Sequence, residues 1–346
     1  MNSSTPDSAT SNCSVGVLAP RVRNAPGHPA DFPIGRAALA LEADGVAVVI
    51  GDTVKDGTLV GVRAHPDGWQ AAALAVSGIY DRFPSRSRHA EHTTLRNGLR
   101  GLRWVNDPRL VDLCADKVGS QAWLAERVPM PEIETDPTRF ADCLNAWGAA
   151  FAKPRFGAFG AGIERVTPGM QVAPRRISSV KEVHEPTILQ RAVAAPSGFA
   201  GIALRILVQR TVEGPWWAGP AVVRHHRADP VVNAARGAHV TDAAGCAEVD
   251  EPAAQALAVL VAERLAEAPG GEGLVEIGVD LVVDDNRVPH VIEVNSRPRG
   301  RLEVLATQDP ARYRTLHLEA CARPLRWLAA RADDGTSAGR VDGRIK

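Results

Sequence analysis

The sequence has no surplus of either charge: its 346 residues include 40 basic and 40 acidic side chains, for a formal net charge of zero. A protein that binds nucleic acid or an anionic membrane through bulk electrostatics needs a basic excess, so neither partner is expected. No apolar run reaches about 18 residues, which excludes an ordinary spanning helix. The first fourteen residues contain no basic stretch followed by an apolar one, so a secretory signal is not expected and a cytoplasmic location is. The five cysteines (Cys13, Cys114, Cys143, Cys246, Cys321) are scattered, and no Cys-x-x-Cys pair occurs. Neither a disulfide framework nor a zinc site is indicated. Internal repeats are absent as well. With 45% hydrophobic and 23% charged residues, the chain has enough apolar side chains for real cores and too few charges for wholesale disorder.

Lysine is scarce too. Of the 40 basic residues only Lys55, Lys117, Lys153, Lys181 and Lys346 are lysines, the rest being arginine. A lysine kept against that bias suits a place that needs a compact ammonium on a flexible stem, which a guanidinium replaces poorly.

Residues 1–13 read as a polar leader and residues 332–346 as a loose tail. Between them, apolar runs and helical periods alternate. Strands are expected at 15–18, 46–50, 59–63, 69–75, 75–80 and 104–106, with helices at 34–41 and 91–102, making residues 14–108 a small α/β domain. A second unit, 109–331, opens with a helical period over 109–127. Helices at 140–147, 252–266 and 311–330 follow, with strands at 149–153, 187–192, 203–210, 216–223, 278–283 and 290–294.

Two segments carry chemistry. The first is Ala152-Lys153-Pro154-Arg155-Phe156-Gly157-Ala158-Phe159-Gly160-Ala161-Gly162. Its three glycines let backbone N–H groups approach a polyphosphate, and the lysine at the end of the entering strand can place an ammonium on it. Neither a Walker A loop nor a Rossmann turn has this spacing, and a plain turn is the alternative. In the second, two apolar strands are joined by an Asp284-Asp285-Asn286 turn, and Asp280 and Glu293 interrupt them. Carboxylates among apolar neighbours call for a partner or a metal. Glu293 and Asn295 lie two apart, on one strand face, and with Asp280 they offer oxygen ligands that suit Mg²⁺. The alternative is a solvent-facing edge hairpin.

Together the two segments resemble the ATP-grasp superfamily: a lysine and glycine loop, then Asp … Glu-x-Asn. Asp116-Lys117 before a helix ending in Val128-Pro129-Met130-Pro131 is similar to that family's first nucleotide-contacting lysine. Residues 187–193 look like its adenine-holding hinge, and Leu204-Arg205-Ile206-Leu207-Val208 like the strand that follows. Both singled-out lysines thus fall where ATP-grasp enzymes use lysine. Within the superfamily the chain most resembles YheC/YheD-like proteins, through Tyr80-Asp81-Arg82-Phe83-Pro84-Ser85-Arg86, Arg205-Ile206-Leu207-Val208-Gln209 and Glu293-Val294-Asn295-Ser296-Arg297-Pro298. Arg224, Asn233 and Arg236-Gly237 also resemble the glutamate-adding ligases of ribosomal protein tails. Departures are Ala203 where relatives often have Asp, Gln190 where many have Glu, Ser197 at a ribose-binding Glu, and Arg299 at a common Gly.

The resemblance implies an α/β and α+β protein. Two ATP-grasp subdomains (109–186, carrying the lysine and glycine loop, and 187–331, carrying the metal ligands) would sandwich ATP behind the small N-terminal α/β domain. It implies ATP and Mg²⁺ as cofactors. Lys117, Lys153, Gly157, Gly160 and Gly162 would hold phosphates, Gln190, Arg191 and Val193 the adenine, and Asp280, Glu293 and Asn295 the metal. Arg205 and Arg297 would act on the substrate carboxylate or the phosphoryl group, as catalytic residues. Arg82, Arg86, Arg224, Asn233 and Arg236 are substrate candidates. The implied reaction is amide formation between amino-acid-like or peptide carboxylate and amine substrates through an acylphosphate. A non-catalytic coat or scaffold protein and a kinase are the alternatives. The oligomeric state is open, a homodimer included.

Overall fold

Aliphatic and β-branched runs build four sheets in the computed structural model, which describes residues 13–20, 33–65, 68–84, 88–157, 161–172, 175–176, 184–233, 236–298 and 302–332. The chain divides into two compact units, residues 1–105 with 321–346, and residues 106–320.

The first unit runs β1 (Ser14–Leu18), α1 (Pro33–Ala43), β2 (Ala47–Lys55), β3 (Thr58–His65), β4 (Gly68–Leu74), β5 (Gly78–Asp81), α2 (His89–Gly98) and β6 (Arg103–Val105). These strands form one sheet in the order β4-β3-β2-β1-β5-β6. The β2, β1, β5 and β6 strands are mutually parallel, and β3 and β4 return antiparallel. A near-continuous apolar β1 is buried at Val15, Val17 and Leu18, as a central parallel strand requires. Asp56-Gly57 joins β2 to β3 with positive φ at both residues (48° and 73°), the two-residue turn whose twist matches a hairpin.

The second unit holds α3 (Pro108–Ala115), α4 (Lys117–Leu124), β7 (Ile133–Glu134), α5 (Phe140–Trp147), β8 (Ala150–Pro154), β9 (Glu164–Val166), β10 (Arg175–Arg176), β11 (His184–Glu185) and β12 (Thr187–Arg191). It continues with β13 (Gly201–Arg210), β14 (Trp216–Ala218), β15 (Val222–His226), β16 (His239–Thr241), α6 (Glu251–Ala266), β17 (Glu276–Val283), β18 (Pro289–Asn295) and α7 (Glu303–Gln308). The last helix, α8 (Pro310–Ala329), belongs to the first unit from Cys321 onward. There Cys13 Sγ donates to Ala329 O and the Arg103 guanidinium lies over the Trp327 ring.

A four-stranded antiparallel sheet, β7-β12-β8-β9, packs Ala150, Ala152, Val166 and Leu189 against Phe140 and Leu144 of α5. A six-stranded sheet runs β16-β15-β13-β17-β18, with β14 also on β13. One face of it (Ile202, Leu204, Ile206, Val208, Ile277, Val279, Leu281) is buried with the small side chains Ala254, Ala258 and Ala262 of α6. Strand alternation sends Arg205 and Asp280 to the opposite face, and the register shift between Asp280 and Leu281 sets Glu293 beside them. Among the described residues, β10 and β11 pair with each other.

Four sequence expectations change. The helical period over 109–127 is two helices, because Asp116 is extended (φ −91°, ψ 106°) and its carboxylate accepts from Val118 N at 3.0 Å, capping α4. The strand expected over 216–223 is interrupted: between the pairs Val208–Ala218 and Arg205–Val222, two residues of β13 face Gly219, Pro220 and Ala221, a bulge that accommodates proline. β12, expected with the metal-bearing strands, hydrogen-bonds along β8 instead. The unit boundaries lie at 105/106 and 320/321 rather than 108 and 331, since the second half of α8 packs with the first unit.

Candidate functional site

Lys153 is the fourth residue of β8, and it is buried. Its Nζ donates to Gln190 Oε1 at 2.7 Å, on the neighbouring strand β12, and to Ile292 O at 3.5 Å. Burial pushes its ammonium down from 10.5 to about 8; Glu293 and Asp280 oppose that shift and Lys117 adds to it. Lys117, also buried, is the first residue of α4, directly after the capping aspartate. Its Nζ donates to Gly157 O at 2.8 Å and lies 3.5 Å from Glu293 Oε1. Two ammonium groups remote in sequence therefore come to adjacent residues of β18, Lys117 at the Glu293 carboxylate and Lys153 at the neighbouring Ile292 carbonyl.

That carboxylate stands in a row. In register, Arg205 of β13 faces Asp280 of β17, and Asp280 faces Glu293 of β18. Directly opposite residues on adjacent strands share a face, so all three side chains line one surface. The row is polar because the reverse face supplies the apolar core. Arg205 Nε donates to Asp280 Oδ1 at 2.8 Å, and its second nitrogen bonds Oδ2. The Asp280 carboxylate raises the Arg205 pKa further above its already high value, against the effect of burial. Arg224 of β15 lies largely out of solvent, and burial lowers its pKa while Asp280 supports the charge and Arg205 opposes it. Among the described residues its guanidinium makes no hydrogen bond or ion pair, while its backbone is held in the ladders of β13 and β16. Asn295 faces Gly278, and its Oδ1 accepts from Arg297 N at 3.0 Å.

Asp280, Glu293 and Asn295 offer oxygen donors only, which fits a hard cation such as Mg²⁺ and not a thiolate- or imidazole-preferring metal. Among the described residues no group of three or more His, Cys, Asp or Glu side chains is placed to hold a metal ion. Two carboxylates and an amide agree with an ion that takes much of its coordination from phosphates and water.

The remaining candidates divide. Gly162 has φ 71°, a conformation glycine adopts without strain. Gly160 and Arg86 lie outside the described residues. Gln190 is buried beside Lys153, Arg191 is exposed with its guanidinium 3.7 Å from Glu132, and Val193 is half-buried just beyond β12. The resemblance-derived arginines Arg205 and Arg224 join the lysine–carboxylate cluster. Arg236 instead pairs with Asp229 at 2.8 Å, and Asn233 O accepts from Arg236 N and Ala238 N. Arg236 and Asp229 line an open groove of about 480 Å³ with Gly162, Ile163, Glu164 and Arg165. Arg82 belongs to the first unit, with its guanidinium over the Tyr80 ring at 5.5 Å.

Sequence reasoning missed Asn106 and assigned no role to Arg155. The Asn106 amide accepts from Val275 N and Glu276 N and donates to Glu276 O and Ser296 O, tying the start of β17 to the end of β18. Arg155 Nε donates to Asp116 Oδ1 at 2.7 Å. No local pattern marks either residue, because their partners lie far away in sequence.

A family model described as YheC/D like ATP-grasp matches residues 115–319. No curated protein matches the chain in sequence. Among solved structures, D-alanyl-alanine synthetase A from Vibrio cholerae is 14% identical with a TM-score of 0.57, covering 92% of this chain and 100% of that one. D-cycloserine synthetase DcsG is 16% identical with a TM-score of 0.56, over 92% and 99%. The ATP-grasp ligase PsnB, complexed with a phosphomimetic variant of its minimal precursor, Mg and ADP, is 14% identical with a TM-score of 0.52, over 96% and 100%. At these identities the likeness is one of fold. Among the described residues no helix is long and apolar enough to cross a membrane.

Proposed function

The chain belongs to the YheC/D-like ATP-grasp family, and from that premise we propose that it is an ATP-dependent carboxylate–amine ligase joining amino-acid-like or peptide substrates. The observation that carries this reading is that buried Lys117 stands 3.5 Å from Glu293 and buried Lys153, on the Ile292 carbonyl beside it, lies in the field of Glu293 and Asp280, in line with Arg205. A scaffold has no need to hold two ammonium groups close together out of water, where each raises the cost of the other. A polyphosphate resolves that repulsion. The printed descriptions of the similar structures, two synthetases and a ligase bound to Mg and ADP, support the same class.

In this reading Lys117 and Lys153 bind the nucleotide phosphates, and the glycines at 157 and 162 let the backbone approach them. Asp280, Glu293 and Asn295 hold Mg²⁺. Gln190, Arg191 and Val193 border the adenine. Mg·ATP supplies the activation: a substrate carboxylate oxygen bonds to the γ-phosphorus as ADP leaves, and the amine then displaces phosphate from the acylphosphate. The protein's share is to bring anions together. Arg205, already held by Asp280, presents the rest of its fork to oxyanions, and Arg224 brings a half-buried guanidinium to the same face. These two, with Arg297, are proposed to orient the carboxylate and stabilise the phosphoryl group, and Asn233 and Arg236 to contact the substrates.

Purified protein with Mg·ATP and a panel of amino acids and short peptides tests the reading. A ligase releases ADP only when substrate is added, and hydroxylamine traps the activated acyl group as a hydroxamate. A stable phosphorylated product identifies a kinase, and nucleotide binding without any turnover identifies a scaffold.

A further inference from the structure

Asp116 and Arg155 serve neither phosphate nor metal in the reading above, yet they stand directly beside both lysines. Asp116 caps α4, whose first residue is Lys117. Arg155 follows the last residue of β8, two positions after Lys153 and two before Gly157. The Arg155 guanidinium grips the Asp116 carboxylate with both nitrogens, Nε on Oδ1 at 2.7 Å and the second nitrogen on Oδ2. Main-chain bonds run alongside: Lys117 N donates to Arg155 O at 3.4 Å, and Arg155 N donates to Pro186 O at 2.9 Å, just ahead of β12. Lys117 Nζ closes the set on Gly157 O.

We propose that the Asp116–Arg155 pair is a clasp that positions the two lysines for a single phosphate chain, by fixing the first turn of α4 to the end of β8. The proposal rests on the nucleotide reading of the site. Its physical ground is that the lysines repel each other and sit on elements ordered by different neighbours: α4 packs against β18 and α6, and β8 is ordered by β9 and β12. Like charges separate unless their backbones are held. A planar, bidentate guanidinium–carboxylate pair fixes direction as well as distance, which a point-charge lysine at 155 does not. Hydrogen bonds from Arg155 and from the α4 backbone hold Asp116 below the usual carboxylate range, so the clasp is charged at neutral pH. Both partners are partly solvent-exposed, and exposed pairs contribute little to global stability. The clasp therefore acts on placement rather than on folding.

That distinction makes it testable in the full-length protein. Asp116→Asn keeps an N-cap oxygen but removes the charge, Arg155→Lys keeps the charge but loses the fork, and Arg155→Ala removes both. The readouts are the thermal midpoint, calorimetric affinity for Mg·ADP, and kcat and KM for ATP. For Asp116→Asn and Arg155→Ala, midpoints within about 2 °C of wild type are expected. Mg·ADP affinity should be weakened about tenfold, and the double variant should be no weaker than either single one, as for one shared interaction. Arg155→Lys should recover only part of the loss. Wild-type affinity in Asp116→Asn or Arg155→Ala, or losses that multiply in the double variant, would overturn the clasp while leaving the nucleotide site standing. Failure of the wild type to bind Mg·ADP would remove the nucleotide reading and the clasp with it.

Discussion

Lys153 is an ammonium out of water whose compensation comes from one amide oxygen, one distant carbonyl and the fields of two carboxylates. Its pKa of about 8 lies below the ordinary 10.5. The folded protein thus holds fewer protons than the unfolded chain between those values, and its stability rises with pH across that window. Below about 8 both states are charged and the desolvation cost is felt in full. A phosphate beside Lys153 reverses the shift, so nucleotide binding should take up protons near pH 8.5 and weaken as the pH climbs above 8. Calorimetry in buffers of different ionisation enthalpy measures the uptake, which Lys153→Met should abolish; equal uptake by that variant would assign the proton elsewhere. Glu293→Gln keeps the shape of the side chain but removes the charge beside Lys117 that also supports Lys153. ATP turnover should fall by at least about a hundredfold with far-ultraviolet dichroism unchanged, and wild-type turnover would refute the metal role. At this scale the site was legible where chemistry leaves a compositional trace. Two of five lysines in an arginine-rich chain, and two carboxylates inside apolar strands, stood out. Asn106 and Arg155 did not, because an Asn or an Arg acquires meaning only from partners 170 and 39 residues away.

The elements that carry the site show why some patterns mislead. Periodicity over 109–127 reports two apolar faces but is silent about Asp116, whose preference for an extended N-cap breaks the run and puts Lys117 at the start of a new helix. The 216–223 run likewise reads as one strand until Pro220, which lacks an N–H, forces an extra residue opposite β13. By contrast, the β17–β18 hairpin was plain in sequence from its two apolar runs and Asp-Asp-Asn turn, but the register set at the turn leads to Ile292 opposite Asp280, and it is a shift between Asp280 and Leu281, which no local pattern marks, that sets Glu293 there. Asn106 holds the open end of this hairpin with four hydrogen bonds to backbone groups. Asn106→Ala leaves those groups buried and unsatisfied, at a cost of about 3 kcal/mol, measurable as a lower denaturant midpoint. A change below about 0.5 kcal/mol would mean that the strand ends hold themselves.

For the molecule as a whole, the order of motifs along the chain was enough to suggest the fold, because a lysine strand, a glycine segment and a carboxylate hairpin have to converge if they share a ligand. The partition between units was less legible: nothing local in α8 announces that its second half packs with the first unit. A ligand that binds only the folded state adds stability by mass action, about 2.7 kcal/mol at one hundred times its dissociation constant. Saturating Mg·ADP should therefore raise the unfolding midpoint by roughly 2–4 °C, and Glu293→Gln should lose most of that increase. The most direct measurement is a crystal structure of the full chain with Mg²⁺ and a non-hydrolysable ATP analogue. The expected result has Lys117 Nζ released from Gly157 O and, with Lys153 Nζ, on the phosphates, while Asp280, Glu293 and Asn295 ligate the metal. A nucleotide bound elsewhere, with Lys117 still on Gly157 O and Lys153 still on Gln190, would contradict it.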